Sequence, residues 1–524
     1  MMHYQKPKVI NAFIKALKET YKQGLKNDEY LTPLVAWKDN SPYGRIKDGD
    51  VVILCFSRGE REIQLTQALL GEAPFSCQKF ANLKIVTLVN FHHSLNVEVA
   101  FSRPVIQNNL GEILSKFGIK QARIAESEKG AHIGKFLSGG KEEPYPGEER
   151  IIIPTTSESK KRPEMNLAKV TEIVKEKLSS KNYPFIAVNI ANADVFGHFP
   201  DENLMDACVS VIDKYLGEIV KTAQQYNYIT LITADHGVIE IAHDPKTGKM
   251  HLGHTTNPVP FVVVVPPPSL PENAFILKNH GKLANVAPTI LDIFSLPKPK
   301  DMTEESLLLK KPKIENPQCL LIILDGWGYG TEGPHNPIWR TPTPNWDAII
   351  AKYPWVLLAA SGEAVGKLPN APGNSEAGHE NIGAGRVVLQ ADVLLAKDFI
   401  NNPVLEGAIK TAKERGTNLH LLGILSHKSS HGKIKYIENM LVLAARRNFN
   451  SVYIHGILDG RSAPTPTSGP QFLEELSIIL QMQGVGNLVT LIGRNIALDR
   501  NQNWRKTEIA YRALVFGEGV KVLI

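Results

Sequence analysis

FIAVNIANADVFGH, residues 185–198, is an apolar run that turns polar at its C-terminal end. YITLITADHGV (228–238) and CLLIILDGWG (319–328) do the same. Each reads as a buried strand, rich in Ile, Val and Leu, that releases Asp or His into the next loop. In an open α/β sheet the C-terminal ends of parallel strands share one edge, and ligands bind in the crevice outside it. An edge supplied with Asp194, His198, Asp235, His236 and Asp325 is expected to hold more than one metal ion, and HLGHTTNPVPF (251–261) adds His254.

Mixed carboxylate and imidazole donors suit zinc, manganese and similar divalent ions, and no Cys lies in these motifs to argue for a soft site. Asp194 and His198 stand four apart, so one helical turn after the strand puts both on one face. A single Asp-His pair at a strand end is more often a cap or a satisfied hydrogen bond. Three such ends together favour metal.

A candidate nucleophile sits in PNAPGNSEAGHENIGAGR (369–386). Gly373, Asn374 and Ser375 read as a tight turn, with Gly378, Gly383 and Gly385 keeping the backbone open to a phosphate. A serine hydroxyl is a weak nucleophile until a base or a metal activates it. Next to paired metal ions, Ser375 is placed to attack a phosphoryl group in line. Standing alone, the stretch is equally a Gly-rich surface loop.

The 524 residues exceed what one core usually supports, so two domains are expected. The 43% hydrophobic and 21% charged content is ordinary for a globular chain. Cys55, Cys77, Cys208 and Cys319 show no pairing pattern, which fits a reducing compartment. No signal-like N-terminus and no membrane-length apolar run stands out, so a cytoplasmic protein without a membrane partner is expected. A net charge of +6 is modest and suggests small anionic substrates, with no nucleic-acid stripe.

LLIILDGWGYG, PGNSEAGHENIGAGR, HGILDGR, GRNIALDR, RIAESEKGAH, NIANADVFGH, TADHG and HTTNPVPF together resemble the cofactor-independent phosphoglycerate mutases of the alkaline phosphatase superfamily. The likeness runs through nearly the whole chain, but the order differs. That family carries LDGWG near its N-terminus and HTTNP near its C-terminus, whereas here LDGWG (324–328) follows HTTNP (254–258). A circular permutation is therefore expected, opened between RALVFGEG (512–519) and the helix in VINAFIKALKETY (9–21). The resemblance implies two α/β domains. An alkaline-phosphatase-like metal domain spans 104–390, with DMTEESLLLKKPKIENPQ (301–318) as the seam between the family's old ends. A smaller phosphotransferase or substrate domain is split across 1–103 and 391–524.

The implied activity is interconversion of 2-phosphoglycerate and 3-phosphoglycerate in glycolysis and gluconeogenesis, through a phosphoserine on metal-activated Ser375. It needs no bisphosphoglycerate. Two divalent ions are implied, manganese ahead of zinc or cobalt. Asp194, His198 and His254 would hold one; Asp235, His236, Asp325 and Ser375 would hold the other. Lys129, which alone would read as an exposed lysine among acidic neighbours, would contact the phosphoryl group.

Arg58 and Arg61 follow the VVILCF strand, Arg461 follows YIHGILDG, and Arg494 and Arg500 flank NIALD. Guanidinium bonds carboxylate and phosphate in bidentate fashion, which suits a substrate carrying both groups, such as phosphoglycerate; a monomer is expected. Two departures matter. SHKSSHGK (426–433) stands where the family reads SDGGVHSH, keeping His431 as the substrate-binding histidine. LDGRSAP puts Ser462 where the family has the aspartate thought to handle the glycerate hydroxyl proton. ADHGV also carries Val238 in place of asparagine. A metal-dependent phosphomonoesterase and a non-catalytic binding protein on the same fold are the alternatives.

Overall fold

A computed structural model describes residues 6–59, 61–92, 94–102, 105–244 and 248–524. The chain divides into two units, Met1–Arg103 with Leu394–Ile524, and Pro104–Val393. The expected boundary at 103/104 falls outside the described residues. The other lies three residues later than expected, inside the helix Ala391–Asp398, whose start is bonded back through Val393 N to Gln390 O (3.0 Å).

The 104–393 unit is built on an eight-stranded sheet. Edge to edge it runs Gly281–Lys282, Trp355–Ala359, Val259–Val264, Ile229–Thr233, Cys319–Leu324, Phe185–Ile190, Gln121–Glu126 and Glu148–Ile153. Strands from Ile229–Thr233 to Glu148–Ile153 are parallel to one another, and Val259–Val264 is antiparallel to both of its neighbours. The three central strands are buried along their whole length, as continuous apolar runs covered on both faces should be. Their register decides the site: Leu324 pairs with Ile190, and Ile323 with Thr233. All three therefore end almost level, and the residues that follow emerge together. The helix Glu202–Gln225 buries Met205, Val209, Ile212, Leu216 and Ile219, at helical spacing, and starts on Asp201, whose carboxylate accepts from Asn203 N and Leu204 N.

The expected seam is not plain linker. Met302 and Leu307 are fully buried, and Leu308–Lys310 pairs antiparallel with Ile276–Leu277. Leu308 and Ile314 pack partly buried against the same core, while Leu309 stays exposed.

The other unit carries a nine-stranded sheet. Its main path is Val520–Leu523, Leu34–Lys38, Asn487–Gly493, Val452–Leu458, Leu419–Leu425, Val51–Cys55, Lys84–Thr87 and Glu98–Val99, with Ser41–Pro42 beside Leu34–Lys38. Asn487–Gly493 through Glu98–Val99 are parallel. Strands from the two ends of the chain interleave, so neither end closes this sheet alone. The helix Lys6–Lys22 buries Ile10, Phe13 and Leu17, which share one face at helical spacing.

Candidate functional site

Asp325 follows Cys319–Leu324 directly, and Asp235 and His236 lie just beyond Ile229–Thr233. After Phe185–Ile190 the chain enters a short helix, Asn192–Gly197, which carries Asp194 in its first turn and ends on His198. Asp194 N donates to Asp325 O (2.8 Å) and Gly326 N to Asp235 Oδ1 (3.2 Å), locking the three strand ends together.

The imidazoles converge on the carboxylates without bonding them well. Asp194 Oδ1 lies 3.3 Å from His198 Nε2, 3.4 Å from His254 Nε2 and 3.7 Å from His236 Nε2. Asp194 Oδ1 and Asp235 Oδ2 are both buried acceptors without a hydrogen bond. The His236 and His254 rings stack at 4.1 Å, and His198 and His254 at 5.1 Å. Donor atoms crowded on a common point, with orphaned buried oxygens among them, form the lining of a cation site. Among the described residues two groups have metal-binding spacing: Asp194, His236 and His254, and Asp235, His236 and Asp325. His236 belongs to both, whereas the sequence expectation gave it to the second ion alone.

Ser375 is the first residue of the helix Ser375–Ala384, with Asn374 as its cap accepting from Ala377 N. This replaces the free turn expected from the glycines. A Cβ at Gly378 would sit 2.5 Å from Asp235 O, and one at Gly373 would sit 2.2 Å from Ala360 O. These glycines let backbone approach backbone, pressing the helix N-terminus onto the carboxylate cluster, and they do not hold space open for a phosphate. Ser375 Oγ lies 3.1 Å from Asp325 Oδ1, 3.0 Å from His236 Nε2 and 2.6 Å from Lys129 Nζ.

Lys129 is buried, not exposed. It lies just beyond the strand Gln121–Glu126, which carries it inward, and its ammonium also donates to Asp194 Oδ2 (2.7 Å) and Asp325 Oδ1 (2.6 Å). Burial works against this charge, but Asp325, Asp194 and Asp235 outweigh it and raise the lysine. In return, although burial pushes both carboxyls up, Lys129 and the neighbouring histidines hold Asp325 and Asp194 well below the usual carboxylate range. His236 is pushed up to about 9: burial opposes its charge, and the surrounding aspartates overcome it. A divalent ion would compete with that proton, since imidazole ligates only when neutral.

The described residues of the other unit bring a second set of charges together at strand ends. Burial, and then repulsion from Arg500, Arg494 and Arg461, lower the Arg61 guanidinium, with Glu62 opposing. These four arginines therefore share one field. Arg494 pairs with buried Asp459, and Arg461 Nε donates to Glu29 Oε2 (2.5 Å). Ser462 N donates to Asp459 Oδ2 (2.8 Å). His431 is buried, with Nδ1 3.0 Å from Glu62 Oε1. Arg58 is exposed beyond the same strand.

Comparison with known proteins matches residues 39–298 to the Metalloenzyme superfamily and residues 392–523 to the N-terminus of BPG-independent PGAM. Both matches point to one family, the bisphosphoglycerate-independent phosphoglycerate mutases, which this chain resembles. The 2,3-bisphosphoglycerate-independent phosphoglycerate mutase of Thermomicrobium roseum is 37% identical over 303 residues, covering 56% of this chain and 57% of the relative. That of Clostridioides difficile is 38% identical, covering 57% and 59%, and that of Clostridium kluyveri 40%, covering 56% and 57%. The chain thus spans little more than half the length of these relatives. A Leishmania mexicana phosphoglycerate mutase structure at low cobalt concentration aligns with a TM-score of 0.43, 23% identity and 53% of each chain.

Several residues that frame this site were not singled out from sequence. Asn189 Nδ2 donates to Asp325 Oδ2 (2.7 Å) and lies 3.0 Å from His379 Nε2, while His379 Nδ1 lies 3.2 Å from Asp235 Oδ2. Asn189 had a signal, as the one polar residue in the strand FIAVNI. His379 had another, one turn after Ser375 in the same helix. Buried Glu240 accepts from Thr255 Oγ1, Asn257 Nδ2 (2.9 Å) and Gly328 N (3.2 Å), tying the loops that carry His254 and Asp325. Nothing in its local sequence marks that role.

Proposed function

We propose that this chain interconverts 2-phosphoglycerate and 3-phosphoglycerate in glycolysis and gluconeogenesis, passing the phosphoryl group through Ser375. The observation that carries this reading is the surroundings of Ser375 Oγ, which Lys129 Nζ, His236 Nε2 and Asp325 Oδ1 approach within 3.1 Å at a helix N-terminus. Asp194, His198 and His254 would hold one divalent ion and Asp235, His236, Asp325 and Ser375 a second, with His236 also within reach of the first and manganese favoured over zinc or cobalt. Bound there, such ions would lower the hydroxyl's proton affinity and neutralise charge on the transferring group.

Lys129 places its ammonium against the oxygens on which negative charge gathers. The Ser375–Ala384 helix dipole favours an anion at the same point. Arg61, Arg461, Arg494, Arg500 and Arg58, with His431 and Ser462, are assigned to the glycerate part of the substrate. Glycerate must stay bound while Ser375 carries the phosphoryl group, because water reaching the phosphoserine would turn a mutase into a phosphatase.

Among the described residues no helix is long and apolar enough to cross a membrane, and we assign the protein to the cytoplasm as a monomer. We also infer a permuted order of family segments. The model of a PGAM N-terminus matching at 392–523, after a metalloenzyme match at 39–298, supports it.

The test is conversion of 3-phosphoglycerate, coupled through enolase, by the full chain supplied with Mn, Co or Zn. Isomerisation without bisphosphoglycerate is expected. No turnover with any divalent ion overturns the reading, and phosphate release matching or exceeding isomerisation selects the phosphomonoesterase alternative.

A further inference from the structure

Four adjacent parallel strands of the nine-stranded sheet open at one edge into the charged loops of that unit. Val51–Cys55 leads to Arg61 and Glu62, Leu419–Leu425 to His431, Val452–Leu458 to Asp459 and Arg461, and Asn487–Gly493 to Arg494. The carboxylates there are not equivalent. Asp459 is committed to Arg494 and also accepts from Ser462 N (2.8 Å) and Ser426 Oγ (3.2 Å). Glu29 is committed to Arg461. Glu62 is bonded through its side chain to an imidazole instead.

Glu62 ends the loop after Val51–Cys55 and sits at the start of the helix Ile63–Leu70. Its Oε2 accepts from Arg61 N (2.9 Å), and its Oε1 lies 3.0 Å from His431 Nδ1. Side-chain exposures are 1% for Glu62 and 5% for His431, so water does not compete for this bond. The histidine loop is fastened as well: Ser57 N donates to His431 O (2.8 Å) and Ile434 N to Ser426 O (3.0 Å). Burial raises the Glu62 carboxyl, with His431 opposing. A carboxylate locked on Nδ1 sets the imidazole tautomer and leaves Nε2 to face a reactant, the arrangement of a base and its orienting acid.

We propose that Glu62 is a positioning residue that holds His431 so that Nε2 exchanges the glycerate hydroxyl proton, the task a carboxylate at position 462 would otherwise perform. This rests on the mutase reading above. Ser462 cannot perform it, because its hydroxyl is no base near neutral pH and its backbone N–H is spent on Asp459.

The protons balance over the two half-reactions. With Ser375 entering as the alkoxide and His431 as the imidazolium, the phosphorus bond to the substrate oxygen breaks as that to Ser375 Oγ forms, and the departing oxygen takes the proton from His431 Nε2. As the second glycerate hydroxyl bonds phosphorus and the Ser375 bond breaks, its proton returns to Nε2 and Ser375 leaves as the alkoxide, so both starting states are restored. Glu62 accepts from Nδ1–H throughout.

The experiment uses the full chain with Mn and 3-phosphoglycerate, comparing parent, His431→Gln, Glu62→Gln, Glu62→Asp and Ser462→Asp. Loss of His431 should lower kcat by about 10²–10⁴-fold, the range general acid–base catalysis spans. Glu62→Gln should lower kcat by about 10²-fold with KM within about threefold, and Glu62→Asp should recover part of it. Ring ¹⁵N shifts of His431, followed to a pH at which the imidazole is neutral, should report Nδ1–H in the parent and mixed tautomers in Glu62→Gln. If Glu62→Gln does not fold, Glu62→Asp decides, with about a tenfold loss of kcat expected.

A Glu62 variant that keeps kcat within about twofold of an active parent overturns the proposal. So does Ser462→Asp turning over faster than the parent, since the dyad would then not be serving. A parent that isomerises nothing sinks the mutase reading instead, and an unchanged His431 tautomer in Glu62→Gln still refutes the dyad.

Discussion

At the edge of the eight-stranded sheet, three aspartates gather around one lysine and three imidazoles. At the edge of the nine-stranded sheet four arginines gather, and burial together with repulsion from the other three lowers Arg61. The first cluster is short of positive charge and the second short of negative charge. Both lie where parallel strands end, so topology alone does not decide what binds. The sign of the imbalance does: one edge is built to take cations and the other to take an anionic organic group. Packing differs too. The aspartate edge is sealed by a glycine-bearing helix pressed onto Asp235, whereas the arginine edge leaves Arg461 46% exposed at its side chain.

The largest expected effect breaks the comparison on the aspartate side. Ser375→Ala should remove isomerisation and any phosphate release together, by a factor on the order of 10⁴–10⁶, as loss of a nucleophile does in other covalent enzymes. Either activity surviving in a coupled assay would show that the phosphoryl group does not pass through this serine.

Next in size is the division of metals. His198→Ala should remove one metal equivalent of two, read by mass spectrometry of the metal-loaded chain. His236→Ala should weaken both sites, because its Nε2 lies 3.7 Å from Asp194 Oδ1 and 3.5 Å from Asp325 Oδ1. Two equivalents retained in His198→Ala, or only one site weakened in His236→Ala, would redraw the ligand sets.

On the arginine side, Arg494 and Arg61 should separate. Arg494→Met strands buried Asp459 without its partner and should destabilise the fold by about 3–5 kcal/mol, seen in denaturant unfolding. Arg61→Met removes a guanidinium already repelled by its neighbours, so stability should hold while KM rises. Equal unfolding midpoints for the two variants would refute this division of labour.

The smallest effect is a pH dependence of stability inside the arginine-bearing unit. Asp50 Oδ2 lies 3.0 Å from His420 Nε2, His420 Nδ1 lies 2.9 Å from His455 Nε2, and His455 Nδ1 lies 2.8 Å from Thr490 Oγ1, all buried. Burial lowers His420 against the pull of Asp50, and burial with repulsion from His420 puts His455 well below the ordinary imidazole value. Since the folded chain binds these protons less readily than the unfolded one, their contribution is complete above about pH 6.5 and is lost as pH falls below it. His455→Gln should flatten the acid limb of the unfolding free energy measured from pH 7 to 5. An unaltered slope would remove this network from the account.

Sequence and structure agree best where one strand end supplies several donors. Asp235 and His236 are adjacent in the chain, and Asp194 and His198 are one helical turn apart, so local geometry already groups them. The glycines of 373–385 were misread for the opposite reason. A glycine that opens space and one that admits a neighbouring backbone look identical in a sequence, and only the 2.5 Å approach at Gly378 separates them. Lys129 was hidden likewise: its acidic neighbours in the chain suggest solvent, while its partners in space lie 65, 196 and 246 residues away.

By itself the sequence determined the α/β class, the apolar strands and the chemistry at their ends, because these depend on periodicity and residue type over a few positions. Tertiary structure alone decided which ends share an edge and that they finish level. It also decided that His236 faces two carboxylate groups, that Asp459 is spent on Arg494, and that Glu62 meets His431 across 369 positions of chain. Strand order, register and burial are properties of the whole packed sheet. They set distances, and distances set which charges compensate one another and which are left for a ligand.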